Sequence, residues 1–172
     1  MNVGDNPIRI LTVDDHPLFR NGIAALLATQ ADMTLVAEAS NGREAIQQFR
    51  AHRPDVTLMD LQMPEMNGLD ALMAIRGEFP EARVIMLTTY SGDVQVMRSM
   101  QVGARAYLLK NLLDKELLGT IRAVHAGKKA LSAEASRFRL GTDFEGRLRS
   151  FSNHYALLEG RVRTSVKESV KG

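Results

Sequence analysis

At 172 residues the chain fits one ordinary domain with an appendage, or one large domain. It is 45% hydrophobic and 24% charged and has no cysteine, which suits a soluble globular protein and excludes a disulfide framework and thiolate metal sites. No apolar stretch approaches a membrane span, and the N-terminus lacks a basic region followed by an apolar core, so a cytoplasmic protein without a membrane partner is expected. The net charge of +2 is unevenly placed: residues 1–136 hold 14 Lys and Arg against 16 Asp and Glu, residues 137–172 hold 8 against 4. Two regions with different roles are expected.

Up to about residue 127, short apolar runs alternate with longer amphipathic segments. The first run is Ile8–Val13, and Pro17 then opens a helix with Phe19, Ile23, Leu26 and Leu27 on one face. Met33–Ala39 is more mixed than the other runs and reads as an edge strand. Ser40 or Asn41 can cap the next helix, which carries Ala45, Ile46 and Phe49 inward and stops before Pro54. Val56–Met59 follows, then a helix from about Gly68 to Phe79 with Leu69, Leu72, Met73 and Ile75 inward. After the run Val84–Leu87, a helix from about Asp93 to Val102 ends at Gly103. The last run, Ala106–Leu109, leads to a helix that Asp114 would cap, with Leu117, Leu118, Ile121 and Val124 inward and Gly127 at its end. Five strands alternating with five helices predict an α/β fold with a doubly wound parallel sheet covered on both faces.

In such sheets ligands bind beyond the carboxyl ends of the strands, where strand order reverses. Asp14 and Asp15 follow the first run, Asp60 the third, Thr88 the fourth and Lys110 the fifth, so the pattern places all five in one crevice. Three carboxylates so close repel unless a cation sits among them, and hard oxygen ligands suit Mg2+. An aspartate beside Mg2+ can act as nucleophile towards a phosphoryl group. Each residue has a plainer reading. Asp14 and Asp15 also suit solvated caps of the first helix, Asp60 a loop start before Pro64, and Tyr107 an ordinary core aromatic. Met63 and Met66 read as packing residues, and His16, His52, His125 and His154 lack metal-ligand spacing and read as structural or solvated. The loop Leu61–Gly68 can bring its first backbone carbonyls to a metal, with Pro64 and Gly68 shaping its turn.

Residues 7–132 resemble a receiver domain of a two-component response regulator. The resemblance rests on Val13-Asp14-Asp15-His16-Pro17, Met59-Asp60-Leu61-Gln62-Met63-Pro64, Asn67-Gly68, Leu87-Thr88 and Tyr107-Leu108-Leu109-Lys110. Within that family, Asp14–Arg20 and Gly103–Lys110 resemble the NarL/FixJ (LuxR-type) branch. The resemblance implies a flavodoxin-like sheet of order 2-1-3-4-5. It implies that Asp60 accepts a phosphoryl group from a sensor histidine kinase, and that Asp15, Asp60 and the Gln62 backbone carbonyl hold Mg2+, with Asp14 acting through water. Thr88 and Lys110 would contact phosphoryl oxygens. Tyr107 would report the change to a face made by the fourth helix, fifth strand and fifth helix, where a homodimer could form. The protein would then be a signalling phosphoacceptor, not a turnover enzyme. Asn111 follows Lys110 where many receivers have Pro, so a cis peptide is not expected there.

Residues 133–172 are expected as a basic linker or tail, too short for the helix-turn-helix of that branch. Thr164–Gly172 faintly resembles the start of a recognition helix, and Tyr155–Leu158 would suit a short packing helix. Two outputs stay open: a transcription regulator that binds DNA through a complete output domain, or a stand-alone receiver acting by protein–protein contact. A haloacid dehalogenase-like hydrolase would want an Asp where Gln62 stands, and neither a glycine-rich dinucleotide turn nor a P-loop is present.

Overall fold

Burial on both faces turns the apolar runs into the interior strands of a sheet. In the computed structural model, which describes residues 6–89 and 93–131, the strands are Ile8–Val13 (β1), Met33–Ala39 (β2), Val56–Asp60 (β3), Val84–Thr88 (β4) and Ala106–Leu109 (β5). Every residue of β3, β4 and β5 is buried, and in β1 only Arg9 is not. The more mixed β2 lies at the edge, as its sequence predicts. All pairings are parallel, in the expected order β2-β1-β3-β4-β5. One correction is a sixth strand, Ala130–Leu131 (β6), which pairs parallel with β5. Two residues carry no period, so nothing in the sequence marked it.

The helices Pro17–Ala28 (α1), Gly42–His52 (α2), Gly68–Glu78 (α3), Asp93–Val102 (α4) and Leu113–His125 (α5) cover the two sheet faces. Strand pleating sorts the core into two layers. Leu11, Val13, Met59, Val84, Met86 and Tyr107 pack under α2, α3 and α4. Ile8, Ile10, Leu58, Ile85, Leu87 and Leu108 pack under α1 and α5. Each fully buried side chain of this size contributes about 1.5–3 kcal/mol relative to exposure.

Helix ends follow local chemistry. Asn41, one of the two candidates, caps α2 by accepting the Glu44 amide at 2.9 Å, and Asn67 caps α3 through the Asp70 amide at 2.9 Å. Arg53 takes a left-handed conformation (φ 46°) to end α2 before Pro54, and Gly103 (φ 107°) ends α4. Three expectations change. Phe79 is the residue that ends α3, outside the helix. Met73 is 50% exposed, because the inward stripe of α3 runs through Gly68, Ala71, Leu72 and Ile75 and leaves it aside. Asp114 lies inside the first turn of α5: a 3-10 turn over Lys110–Leu112 runs directly into Leu113, so no extended residue is left there to cap. The Lys110–Asn111 peptide is trans.

The described residues belong to one unit, Met1–Ser136. The expected basic extension, including Tyr155–Leu158 and Thr164–Gly172, lies outside the described residues. Among the described residues no helix is long and apolar enough to cross a membrane.

Register delivers the strand ends to one edge. Val13 pairs with Met59, Asp60 with Leu87, and Thr88 with Leu109, so Asp14, Asp60, Thr88 and Lys110 step along adjacent strands. The loop after β3 then folds back on it. The Gly68 amide donates to the Leu61 carbonyl at 2.8 Å, and a Cβ on Gly68 would fall 2.0 Å from the Asp60 carbonyl oxygen. Only a residue without a side chain permits that approach. Gly68→Ala should therefore destabilise the fold by about 1–3 kcal/mol and displace the Asp60 backbone. Urea unfolding together with amide chemical shifts at residues 60 and 61 checks both; a variant of wild-type stability with unmoved shifts would refute the close approach.

Candidate functional site

Asp14 and Asp60 are almost fully buried, at 1% and 4% exposure, and Lys110 is the cation that faces them. Its Nζ lies 2.5 Å from Asp14 Oδ2 and 3.4 Å from Asp60 Oδ2. The β5 strand places Lys110 at its carboxyl end, and the 3-10 turn holds it there. Beneath it, Phe19 of α1 puts its ring centroid 4.2 Å from Nζ, a cation–π contact that holds the ammonium in place. Asp14 also accepts the His16 backbone amide at 2.8 Å on Oδ1. Its carbonyl accepts from Arg20 at 2.5 Å, while the Arg20 Nε lies 3.7 Å from Glu38 on β2. The turn between β1 and α1 is thereby tied to both neighbouring elements.

Charge does not balance inside this group. Among the described residues one ammonium, that of Lys110, meets Asp14 and Asp60, and one oxygen from each of Asp14, Asp15 and Asp60 lies within 4.8 Å of the others and of a His16 ring nitrogen. Burial, then the nearby Asp14 carboxylate, pushes the Asp60 carboxyl up to about 6; Lys110 opposes the shift and Asp15 adds to it. Asp15 Oδ1 is buried and accepts no hydrogen bond. His16 Nδ1 stands 3.1 Å from it, outside hydrogen-bonding geometry. A buried acceptor left unmet, with two negative charges in excess of the ammonium, suits a divalent cation bound by oxygen ligands. The residues present fit Mg2+.

Thr88 and Tyr107 lie on the other side of the sheet edge. Both are buried, and the Tyr107 hydroxyl is hydrogen-bonded with Thr88. Burial pushes the phenol up to about 12, with the Thr88 contact opposing. Pleat alternation explains the separation: Thr88 shares the face of Val84 and Met86, whereas Asp60 follows the face of Leu58. Gln62, expected to offer its carbonyl, is exposed at the start of the loop two residues beyond Asp60. That loop is shaped by a turn in which the Met66 amide donates to the Pro64 carbonyl at 2.8 Å around Glu65, whose φ is +66°.

The structure thus brings Asp14, Asp15, Asp60 and Lys110 together and sets Thr88 with Tyr107 beside them. His16, read from the sequence as structural or solvated, is 68% exposed and turns its ring towards Asp14, whose Oδ1 lies 3.0 Å from Nδ1. Arg20 carried no signal in the sequence, since its role is to meet a backbone carbonyl.

The raised Asp60 pKa has a stability consequence with a definite sign. Below about pH 4 Asp60 is protonated in both folded and unfolded chains and contributes nothing. Between 3.8 and about 6 the unfolded chain releases the proton first, so stability falls as pH rises through that window and stays lower above it. In metal-free buffer, Asp60→Asn should be more stable than wild type at pH 8 by on the order of 1–3 kcal/mol, a gain that vanishes below about pH 4. Urea unfolding of both proteins across pH checks this; a gain that does not depend on pH would count against the burial of an ionised Asp60.

The sequence matches the family described as the response regulator receiver domain over residues 10–122. It is 42% identical over 125 residues to the uncharacterized transcriptional regulatory protein YhcZ of Bacillus subtilis (strain 168), covering 73% of this chain and 58% of that protein. It is 36% identical over 127 residues to the response regulator protein VraR of Staphylococcus aureus (strain NCTC 8325 / PS 47), covering 74% and 61%. The chain therefore spans about three fifths of the length of these curated relatives. Among solved structures it is similar to a LuxR-family two-component response regulator from Aurantimonas sp. SI85-9A1, with a TM-score of 0.74 at 32% identity over 77% of this chain and 94% of that one. It is also similar to the signal receiver domain of the response regulator NarL from Mycobacterium tuberculosis, with a TM-score of 0.69 at 32% identity over 72% and 99%. The family match over residues 10–122 and the likeness to these relatives and structures identify it: the chain belongs to the response regulator receiver-domain family, with relatives of the LuxR/NarL type.

Proposed function

We propose that residues 7–132 form a phosphoacceptor domain that takes a phosphoryl group onto Asp60 from a sensor histidine kinase in a two-component relay. The observation that carries this reading is the placement of Asp60, 4% exposed, opposite Lys110 and beside two more carboxylates at the carboxyl edge of the sheet. A carboxylate oxygen of Asp60 attacks phosphorus, the bond to the donor's histidine nitrogen breaks, and an acyl phosphate remains. Phosphoryl transfer asks a protein for charge neutralisation and alignment more than for covalent help. Mg2+, when bound, would neutralise phosphoryl oxygens; Asp15, Asp60 and the Gln62 backbone carbonyl would hold it, and Asp14 would act through water. Lys110 already spans Asp14 and Asp60 and would shift towards the new anion.

Thr88 would donate its hydroxyl to a phosphoryl oxygen. In the structure that hydroxyl is engaged with Tyr107, so the two contacts compete. Acylation of Asp60 adds strong acceptors and about two negative charges in place of one, which favours the Thr88 swing and frees the Tyr107 hydroxyl. The change would emerge at the α4-β5-α5 face, where a homodimer or another protein would read it. Control of transcription would follow where a DNA-binding output domain is joined to this receiver. The LuxR-family label of one structural neighbour and the transcriptional label of one relative support that output.

Incubation with acetyl phosphate and intact-protein mass measurement test the acceptor. One phosphoryl addition should appear only with Mg2+ and disappear in Asp60→Asn; labelling of the mutant at wild-type stoichiometry would sink the assignment. A chain cut after Ser136 should fold and accept the same single group, checked by thermal unfolding and the same mass assay. An unfolded truncation would place the domain boundary elsewhere.

A further inference from the structure

The sheet has a second edge, opposite the carboxylates, where the segments leading into β3 and β4 meet the ends of α2 and α3. A cavity of about 410 Å3 opens there, lined by Phe49, Phe79, Pro54 and Pro80 and by Arg53 and Arg83. We propose that this cavity binds a small aromatic carboxylic acid as its anion, with the carboxylate paired to the Arg53 guanidinium.

Arg53 is set in place by its surroundings. Its backbone takes the left-handed conformation that ends α2 (φ 46°, ψ 62°), its amide donates to the Phe49 carbonyl at 2.8 Å, and its own carbonyl accepts from Arg9 at 2.9 Å. The guanidinium lies over Phe79, 3.9 Å from the ring centroid, and that ring packs at 37° against Phe49 with centroids 5.0 Å apart. A planar fork held this way loses little conformational freedom when it pairs with a carboxylate. Its face is occupied and its edge is not: among the described residues the guanidinium N–H groups donate to no protein acceptor and join no ion pair.

The surrounding charges favour an anion. Glu78 is bound by Arg50, whose Nε lies 3.0 and 2.9 Å from its two oxygens. Four other guanidinium groups gather at this edge without a carboxylate partner among the described residues. Arg53 rests on a ring, Arg9 on the Arg53 carbonyl, Arg83 on the His125 carbonyl at 2.6 Å, and Arg76 on the Pro80 and Ala82 carbonyls. Carbonyls satisfy the donors and leave the positive charge uncancelled. Asp55, which accepts the Arg9 amide at 2.9 Å, and Glu81 line the same cavity and disfavour the second charge of a phosphate. The rest of the lining is apolar, with Phe49 and Pro54 buried, so the anion needs an apolar body to fill it.

Amide-detected NMR titration of the full chain with sodium indole-3-acetate tests this, with indole-3-acetamide as its uncharged counterpart and inorganic phosphate as an anion without an apolar body. The acid should shift the amides of Arg53, Phe79 and Ala82 and saturate with a Kd of about 1 mM or tighter. The amide and phosphate should each bind at least about fivefold more weakly, and Arg53→Gln should lose at least about fivefold for the acid with no loss for the amide. Asp60→Asn, altered at the opposite edge, should bind the acid as wild type does. Equal affinity for acid and amide, unchanged acid affinity in Arg53→Gln, or no saturable shift at these residues by about 10 mM overturns the proposal. Phosphate binding as tightly as the acid overturns the assigned ligand class, and lost binding in Asp60→Asn moves the ligand to the carboxylate edge and overturns the site.

Discussion

Like charges gathered at the edge of a parallel sheet are the constraint around which this molecule is arranged. Asp14 and Asp60 are buried by the strands they end, and repulsion between them is relieved by one ammonium reaching from β5, with Lys110 spanning both. Much of the surrounding structure serves that contact. Phe19 lies under the ammonium, Arg20 holds the carbonyl of Asp14, and Gly68 lets the following loop close against the backbone of Asp60. Burial first, and then repulsion that the ammonium only partly relieves, keep the Asp60 carboxyl high, and Asp15 keeps an unmet oxygen. A site left in that state is responsive: a cation or a phosphoryl group changes its electrostatic energy more than the same event would on the surface.

A second feature couples that response to the rest of the fold. Thr88 and Tyr107 are hydrogen-bonded within the layer under α2, α3 and α4, while Asp60 belongs by pleat to the layer under α1 and α5. If Asp60 takes a phosphoryl group as proposed, the Thr88 hydroxyl, hydrogen-bonded with Tyr107 in this structure, would have two competing partners. Packed interiors respond to such a choice in discrete steps, since neighbouring side chains cannot follow by small continuous shifts.

Most of the fold was legible because its strands are buried on both faces. Runs such as Val84–Leu87 and Ala106–Leu109 have no other soluble reading once long amphipathic segments separate them. Strand-end position then gave Asp14, Asp60, Thr88 and Lys110 without any knowledge of contacts. Features decided by three-dimensional meeting stayed hidden. The 3-10 turn after β5 displaced the cap expected at Asp114, because whether Leu113 continues a helix depends on where Lys110 is pulled. Met73 was assigned inward by hydrophobicity alone, although its place on the helix lies off the stripe of Gly68, Ala71, Leu72 and Ile75. The contact of Lys110 with Asp14, 96 residues away, is likewise beyond any local spacing rule.

The two-residue strand β6 bears on how the folded chain behaves in a crowded solution. Without it, β5 would end the sheet as four buried apolar residues with an open row of amides and carbonyls, the kind of edge on which a second chain can extend a sheet. Ala130 and Leu131 pair with Ala106 and Tyr107 and shorten that open row to Leu108 and Leu109. Beyond those two residues the backbone turns into the 3-10 segment at Lys110, where no strand can be continued. Among the described residues the outer edge on this side is then β6 itself, a row only two residues long and a poor template for a further strand.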